Sequence, residues 1–86
     1  MNPELLTTLR LDELAEMAYN DWPAARSEYH PAGAYLIPMR DLKSIDSKYG
    51  FDDGHSIVAY FLSNAGSWRG PVARAVKAEL KRRLAR

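Results

Sequence analysis

The chain has no cysteine among its 86 residues, which excludes a disulfide framework and any thiolate zinc site. Histidine is scarce as well: with His30 and His55 alone, neither an HExxH motif nor a paired-histidine zinc signature exists. The five glycines occur singly, so GxGxxG, Walker and GxSxG motifs are missing, and no cofactor is expected. Long apolar runs are also lacking. Residues 57–62 form one of the longest, far short of the roughly 20 residues that a membrane span requires. The opening MNPELLTTLRLDELAEM carries acids where a signal peptide needs early positive charge and an unbroken apolar stretch. Together these absences predict a soluble, cytoplasmic protein with no membrane partner and no bound metal.

Hydrophobic residues at 47% and charged residues at 27% match an ordinary globular composition, which argues against disorder. This length supports one core, hence a single domain over residues 1–86, burying about 60–65% of its unfolded surface. The net charge of +1 conceals an asymmetry. Residues 69–86 hold seven Lys or Arg against the one acid Glu79, a balance of +6, whereas residues 1–68 hold five basic and ten acidic side chains, a balance of −5. Such a division predicts either an interaction tail or two complementary surfaces of one fold.

Punctuation by Pro and Gly divides the chain into helical segments. Asn2-Pro3-Glu4 reads as a helix start, with Asn as cap, Pro at the first helical position and Glu at the positive end of the dipole. That first helix is expected to run to about Leu9. From Leu11, the positions Leu14, Ala15, Ala18, Tyr19 and Trp22 recur at helical spacing until Pro23 interrupts them. Residues 32–38 are read as a loop. A helix is expected from Pro38, with Met39, Leu42, Ile45 and Tyr49 on one face and Gly50 closing it. Asp52 and Asp53 then supply capping oxygens for a helix whose stripe is Ile57, Tyr60, Phe61 and Asn64, widened by Val58, Leu62 and Ala65. After a tight connection, Pro71 starts the last helix, with Val72, Ala73, Val76, Leu80 and Leu84 facing inward. The expected fold is all-α, a compact bundle-like domain of about four helices with short turns. A small hairpin near Tyr35 to Met39, making the fold α+β, is the alternative.

Asp46, Asp52, Asp53 and His55 are hard-metal or acid/base material close together in sequence. Their spacing departs from a calcium loop, because Ser47, Lys48 and Tyr49 follow Asp46 where alternate acids are needed. The simpler reading is that Asp52 and Asp53 cap a helix. A relay of Asp52, His55 and Ser56 would place three neighbours of one turn along a single proton-transfer line, which needs special geometry. No catalytic residue is assigned, and the chain is expected not to be an enzyme.

The basic C-terminal segment is the clearest electrostatic feature, able to neutralise phosphates or to lie as a solvated helix face. Residues 56–65, the turn after them and the last helix resemble a helix-turn-helix in outline. The last helix nevertheless begins Pro71-Val72-Ala73, with no polar side chain where base edges would be read. Nine aromatic residues exceed what so small a core readily hides. Trp22, Tyr29, Tyr35 and Trp68, in or beside predicted turns, are candidates for reaching a partner.

The run SIVAYFLSNAGSWRGPVAR, residues 56–74, continuing to Leu84, resembles the compact orphan proteins of phages and plasmids, a population that includes anti-CRISPR inhibitors. That resemblance implies an inhibitor acting by protein–protein interaction on a host complex such as a CRISPR defence complex. The sequence thus predicts a non-enzymatic macromolecule-binding protein. Its partner-binding residues are expected to be Trp68, Arg69, Arg74, Lys77, Lys81 and Arg82, and its partner a protein or nucleoprotein complex. The alternative is a small nucleic-acid-binding or regulatory protein using the basic helix. A homodimer is compatible with either, since a second copy can complete a small core.

Overall fold

A computed structural model of the chain describes residues 3–50 and 52–85. The cap expected at Asn2 lies outside the described residues, as does the side chain of Tyr49. Helix α1, Pro3–Leu6, is short. It stops where the Thr7 and Thr8 hydroxyls donate back to the Glu4 and Leu5 carbonyls at 2.8 and 2.9 Å, bonds that satisfy the helix end locally. Helix α2, Leu11–Asp21, begins with the Arg10 N–H donating to the Glu13 carboxylate at 2.8 Å, half of a capping box. It buries Leu11, Leu14, Ala15 and Ala18 along one face. Pro23 cannot donate a backbone hydrogen bond and ends the pattern. From the following 3₁₀ turn, Pro23–Arg26, the Arg26 guanidinium reaches back to the Tyr19 and Asn20 carbonyls at 2.8 and 3.1 Å, acceptors that a helix C-terminus leaves open.

The middle of the chain departs from expectation. Residues 32–38 are not a loop: α3, Gly33–Met39, occupies them, with Leu36 and Met39 fully buried. The short apolar run is therefore a helix of about two turns, seated on the preceding 3₁₀ turn, whose buried side is Gly33, Leu36 and Met39. A Cβ at Gly33 would lie 1.9 Å from the Ser27 carbonyl oxygen, so only glycine permits that approach. Pro38 falls in the last turn of α3 rather than opening a new helix. The helix expected from Pro38 to the stop at Gly50 is replaced after Met39 by turns, because Ser44 and Ser47 capture the backbone. The Ser44 N–H donates to Ser47 Oγ (3.2 Å) and the Asp46 N–H to Ser44 Oγ (3.1 Å), side-chain bonds that compete with a helical ladder. Leu42 and Ile45 are buried all the same, from a loop.

The hairpin also moves. It is absent from residues 35–39 and instead joins β1, Lys48–Tyr49, to β2, Asp52–Asp53, antiparallel, with Lys48 opposite Asp53 and Tyr49 opposite Asp52. Gly50, at φ +62°, serves this turn and not a helix end. Asp53 then caps α4, Gly54–Ser63, accepting the Ser56 N–H at 2.7 Å. Ile57, Val58 and Phe61 of α4 are buried, but Tyr60 is 55% exposed and corrects the predicted stripe. It stacks on Tyr35 across the α3–α4 contact, ring centroids 5.4 Å apart.

Helix α5, Pro71–Leu84, packs against α1, α2 and α4. Its inner face carries Ala73, Ala75, Val76 and Leu80 and also, against expectation, Glu79. Between α2, α4 and α5 lies an aromatic cluster. Trp22 and Trp68 stack at 5.7 Å, and Phe61 meets both edge-on at 6.4 and 6.2 Å. The fold is all-α, and among the described residues its single β element is the two-residue ladder.

Candidate functional site

The geometry of α5 divides its cations into two groups. On the inner side, Glu79 is 5% exposed. It receives Arg82 Nε at 2.9 Å and Nη2 at 2.6 Å, and Arg83 Nε at 2.6 Å. Arg83 continues inward, donating from Nη2 to the Leu6 and Leu9 carbonyls at 3.0 and 2.7 Å, and so fastens the end of α1 to α5. The hydrogen bonds from Arg82 and Arg83 hold the Glu79 carboxyl below its ordinary range, against the opposing effect of burial. Sequence reasoning counted Arg82 as a partner contact and missed this centre. The signal was present: Glu79, Arg82 and Arg83 stand at i, i+3 and i+4, where helical side chains meet.

Lys77 also turns inward. Its ammonium donates to the Ala65 carbonyl at 2.8 Å and the Trp68 carbonyl at 2.6 Å, and lies 6.0 Å from the Trp68 ring centroid. These carbonyls follow the C-terminus of α4, the negative end of its dipole. Lys77 thus locks the α4–α5 connection. Burial lowers its pKa from the usual lysine value, and the positive charges of Lys81 and Arg69 lower it further.

Trp68 corrects the expectation for it. It is 2% exposed, and its indole N–H donates to Asp21 Oδ2 at 2.8 Å, so it faces the core and α2 rather than a partner. Trp22 is buried beside it. Of the four aromatics suspected of reaching outward, Tyr29 is 90% exposed and Tyr35 is half-buried in its stack on Tyr60.

What remains is Arg69, Arg74 and Lys81, all exposed. Among the described residues no acid pairs with any of them; the ion pairs are those of Arg10 with Asp12, Arg40 with Glu16, and Arg82 and Arg83 with Glu79. Arg74, Ala78, Lys81 and Ala85 follow at spacings of three and four, one line along the outside of the helix, and Arg69 stands just before it. Lys77 and Lys81, at i and i+4, are like charges, an arrangement that destabilises a helix by a few tenths of a kcal/mol. The face thus holds concentrated positive charge that no ion pair among the described residues neutralises.

The acid-rich alternative does not assemble. Asp53 is occupied as a cap, no hydrogen bond links the side chains of Asp52, His55 and Ser56, and no group of three potential metal ligands forms among the described residues. Two open grooves border α5. One of about 260 Å³ is lined by Glu4, Thr7, Ala75, Ala78, Glu79 and Arg82, and one of about 310 Å³ by Met17, Asn20, Asp21 and Val72. No helix among the described residues is long and apolar enough to cross a membrane. Compared with protein-family models, with curated proteins and with solved structures, the chain matches none.

Proposed function

We propose that this chain is a non-enzymatic macromolecule-binding protein that docks on an anionic surface of a larger complex through the outer face of α5. The carrying observation is that Arg69, Arg74 and Lys81 are exposed and have no ion pair among the described residues, while Lys77, Arg82 and Arg83 are engaged within the fold. Mutual repulsion among such cations costs some stability in the free protein and is relieved when an anionic partner arrives. The resemblance of residues 56–84 to small phage and plasmid proteins supports reading it as an inhibitor encoded by a mobile element, with a host complex as target. The grooves beside α5 are open, and Glu79 on one of them is already held by Arg82 and Arg83, which favours occlusion over turnover.

The test is affinity capture from bacterial lysate with tagged wild type beside Arg74→Glu/Lys81→Glu. A stoichiometric partner held by wild type and lost by the double variant, at unchanged circular dichroism, is the expected result. Equal capture by both proteins, or no partner for either, would overturn the reading.

A further inference from the structure

The anion that this face meets can be narrowed by what surrounds its charges. Protein interfaces concentrate their affinity in large aromatic or aliphatic anchors that become fully desolvated. The outer face of α5 offers none: Trp68 is buried, and the large exposed hydrophobics among the described residues, Leu5, Tyr29 and Tyr60, all lie outside α5. Beside its cations stand the small residues Ala78 and Ala85, both exposed. Neutralising phosphates, by contrast, requires cations and little else. Single-stranded nucleic acid would call for exposed aromatic platforms next to the charges, and among the described residues α5 carries none.

Spacing agrees. Arg74 and Lys81 are separated by seven residues of helix, about 10 Å along its axis, close to the ~12 Å width of a B-form major groove. Ala78, between them, leaves room for the helix to approach. The first turn presents Pro71, Val72 and Ala73, which read no base edges. Charge on the rest of the molecule also favours one orientation. Residues 41–53, which lead into the N-terminus of α4, expose Asp41, Asp46, Asp52 and Asp53 against Lys43 and Lys48, a balance of −2, whereas Arg69 and Lys77 stand beyond its C-terminus, ten residues or about 15 Å away. A molecule with this polarity approaches a polyanion basic face first.

We infer that the outer face of α5 binds the sugar-phosphate backbone of double-stranded nucleic acid, independently of sequence, through Arg69, Arg74 and Lys81. This rests on the docking reading above and names its partner surface: the nucleic-acid part of a nucleoprotein complex.

The experiment is fluorescence anisotropy of a labelled duplex DNA of about 20 base pairs, titrated with the full chain at several salt concentrations. A Kd between about 1 and 100 µM at low salt is expected, with log K falling against log salt at a slope near −3, as three phosphate contacts require. Arg74→Glu/Lys81→Glu should weaken binding by roughly 30-fold or more and flatten the slope to below about 1. Arg69→Gln should weaken it several-fold. Lys43→Gln/Lys48→Gln, which removes two exposed cations elsewhere, should change it less than twofold, and a scrambled duplex should bind equally well.

No binding at ~100 µM protein in low salt, or equal weakening by the Lys43/Lys48 control, overturns the inference. So does poly-glutamate binding as tightly as the duplex with the same dependence on Arg74 and Lys81; that outcome would indicate an acidic protein instead. The two proposals fail separately: a captured partner that depends on Arg74 and Lys81 but resists nuclease overturns the nucleic-acid inference and leaves the docking function standing.

Discussion

The two sides of α5 carry the same kinds of residue and use them differently. On the inner side, the Arg83 side chain is 11% exposed and meets a Glu79 side chain that is 4% exposed, with two backbone carbonyls of residues 6 and 9 completing its shell. On the outer side, Arg74 and Lys81 meet solvent. The inner cations hold helices together: Arg83 fastens α1, and Lys77 fixes the end of α4. The difference teaches that the seven basic side chains within residues 69–86 are not one feature. Those among the described residues divide according to which positions face a carboxylate or a helix C-terminus, and only the remainder is free for a partner.

Breaking the inner side should have the largest effects. Trp68→Ala removes the centre of the aromatic cluster together with the surface on which Lys77 rests, and should cost about 4 kcal/mol in urea unfolding. A loss below about 1 kcal/mol would mean that Trp68 is not packed as described. Next in size, Glu79→Ala strands Arg83 in a largely buried site and should cost about 3 kcal/mol. Arg74→Ala and Lys81→Ala should each stay within about 0.5 kcal/mol of wild type. If Arg74→Ala and Glu79→Ala destabilise equally, the division between the two sides fails.

Lys77→Met, which removes the Lys77 donor from the Trp68 carbonyl and leaves the Ala65 carbonyl with the Trp68 N–H alone, should cost about 1–2 kcal/mol, while Lys81→Met should leave stability unchanged or raise it slightly. This pair separates two residues that the sequence placed together as partner contacts. Lysine side-chain NMR would sharpen the point. Because Lys81 and Arg69 push the Lys77 pKa down, Lys81→Gln should move it back toward the ordinary lysine value.

The smallest effect is in pH dependence. Glu79 is held below its unfolded pKa, so the native state binds fewer protons than the unfolded state across that interval, and stability rises with pH there. The contribution is complete above the ordinary glutamate value and is lost as pH falls through the depressed one. Asp12, held down mainly by Arg10, and Asp53, held down mainly by the Ser56 N–H, act with the same sign. In Glu79→Gln the loss of Tm on acidification should be shallower than in wild type, and an identical acid profile would remove Glu79 from this account.

Much of the architecture was legible because it rests on local chemistry. Leu11, Leu14, Ala15 and Ala18 repeat at the helical period, Pro71 suits a first turn, and Asp53 has the side chain of an N-cap. The region from residue 32 to residue 50 was not legible, because its signals point both ways. Pro38 opens helices more often than it ends them, and Met39, Leu42 and Ile45 keep a helical spacing although two serines hold that segment in turns. For the candidate face, sequence located the element and the charge but chose six residues, of which Arg69, Arg74 and Lys81 are exposed and unpaired.

Composition and periodicity by themselves determined an all-α chain with its positive charge collected at one end, since helical period, caps and net charge are properties of neighbouring residues. Only the tertiary structure decided which charges remain available. Besides the nearby Glu79, the groups that engage Lys77 and Arg83 are carbonyls brought from 9 to 77 residues away, and no local rule reports such distances. Trp68 shows the same limit: a tryptophan beside a turn faces outward or inward according to what the folded chain lays over it, here Trp22 and the carboxylate of Asp21.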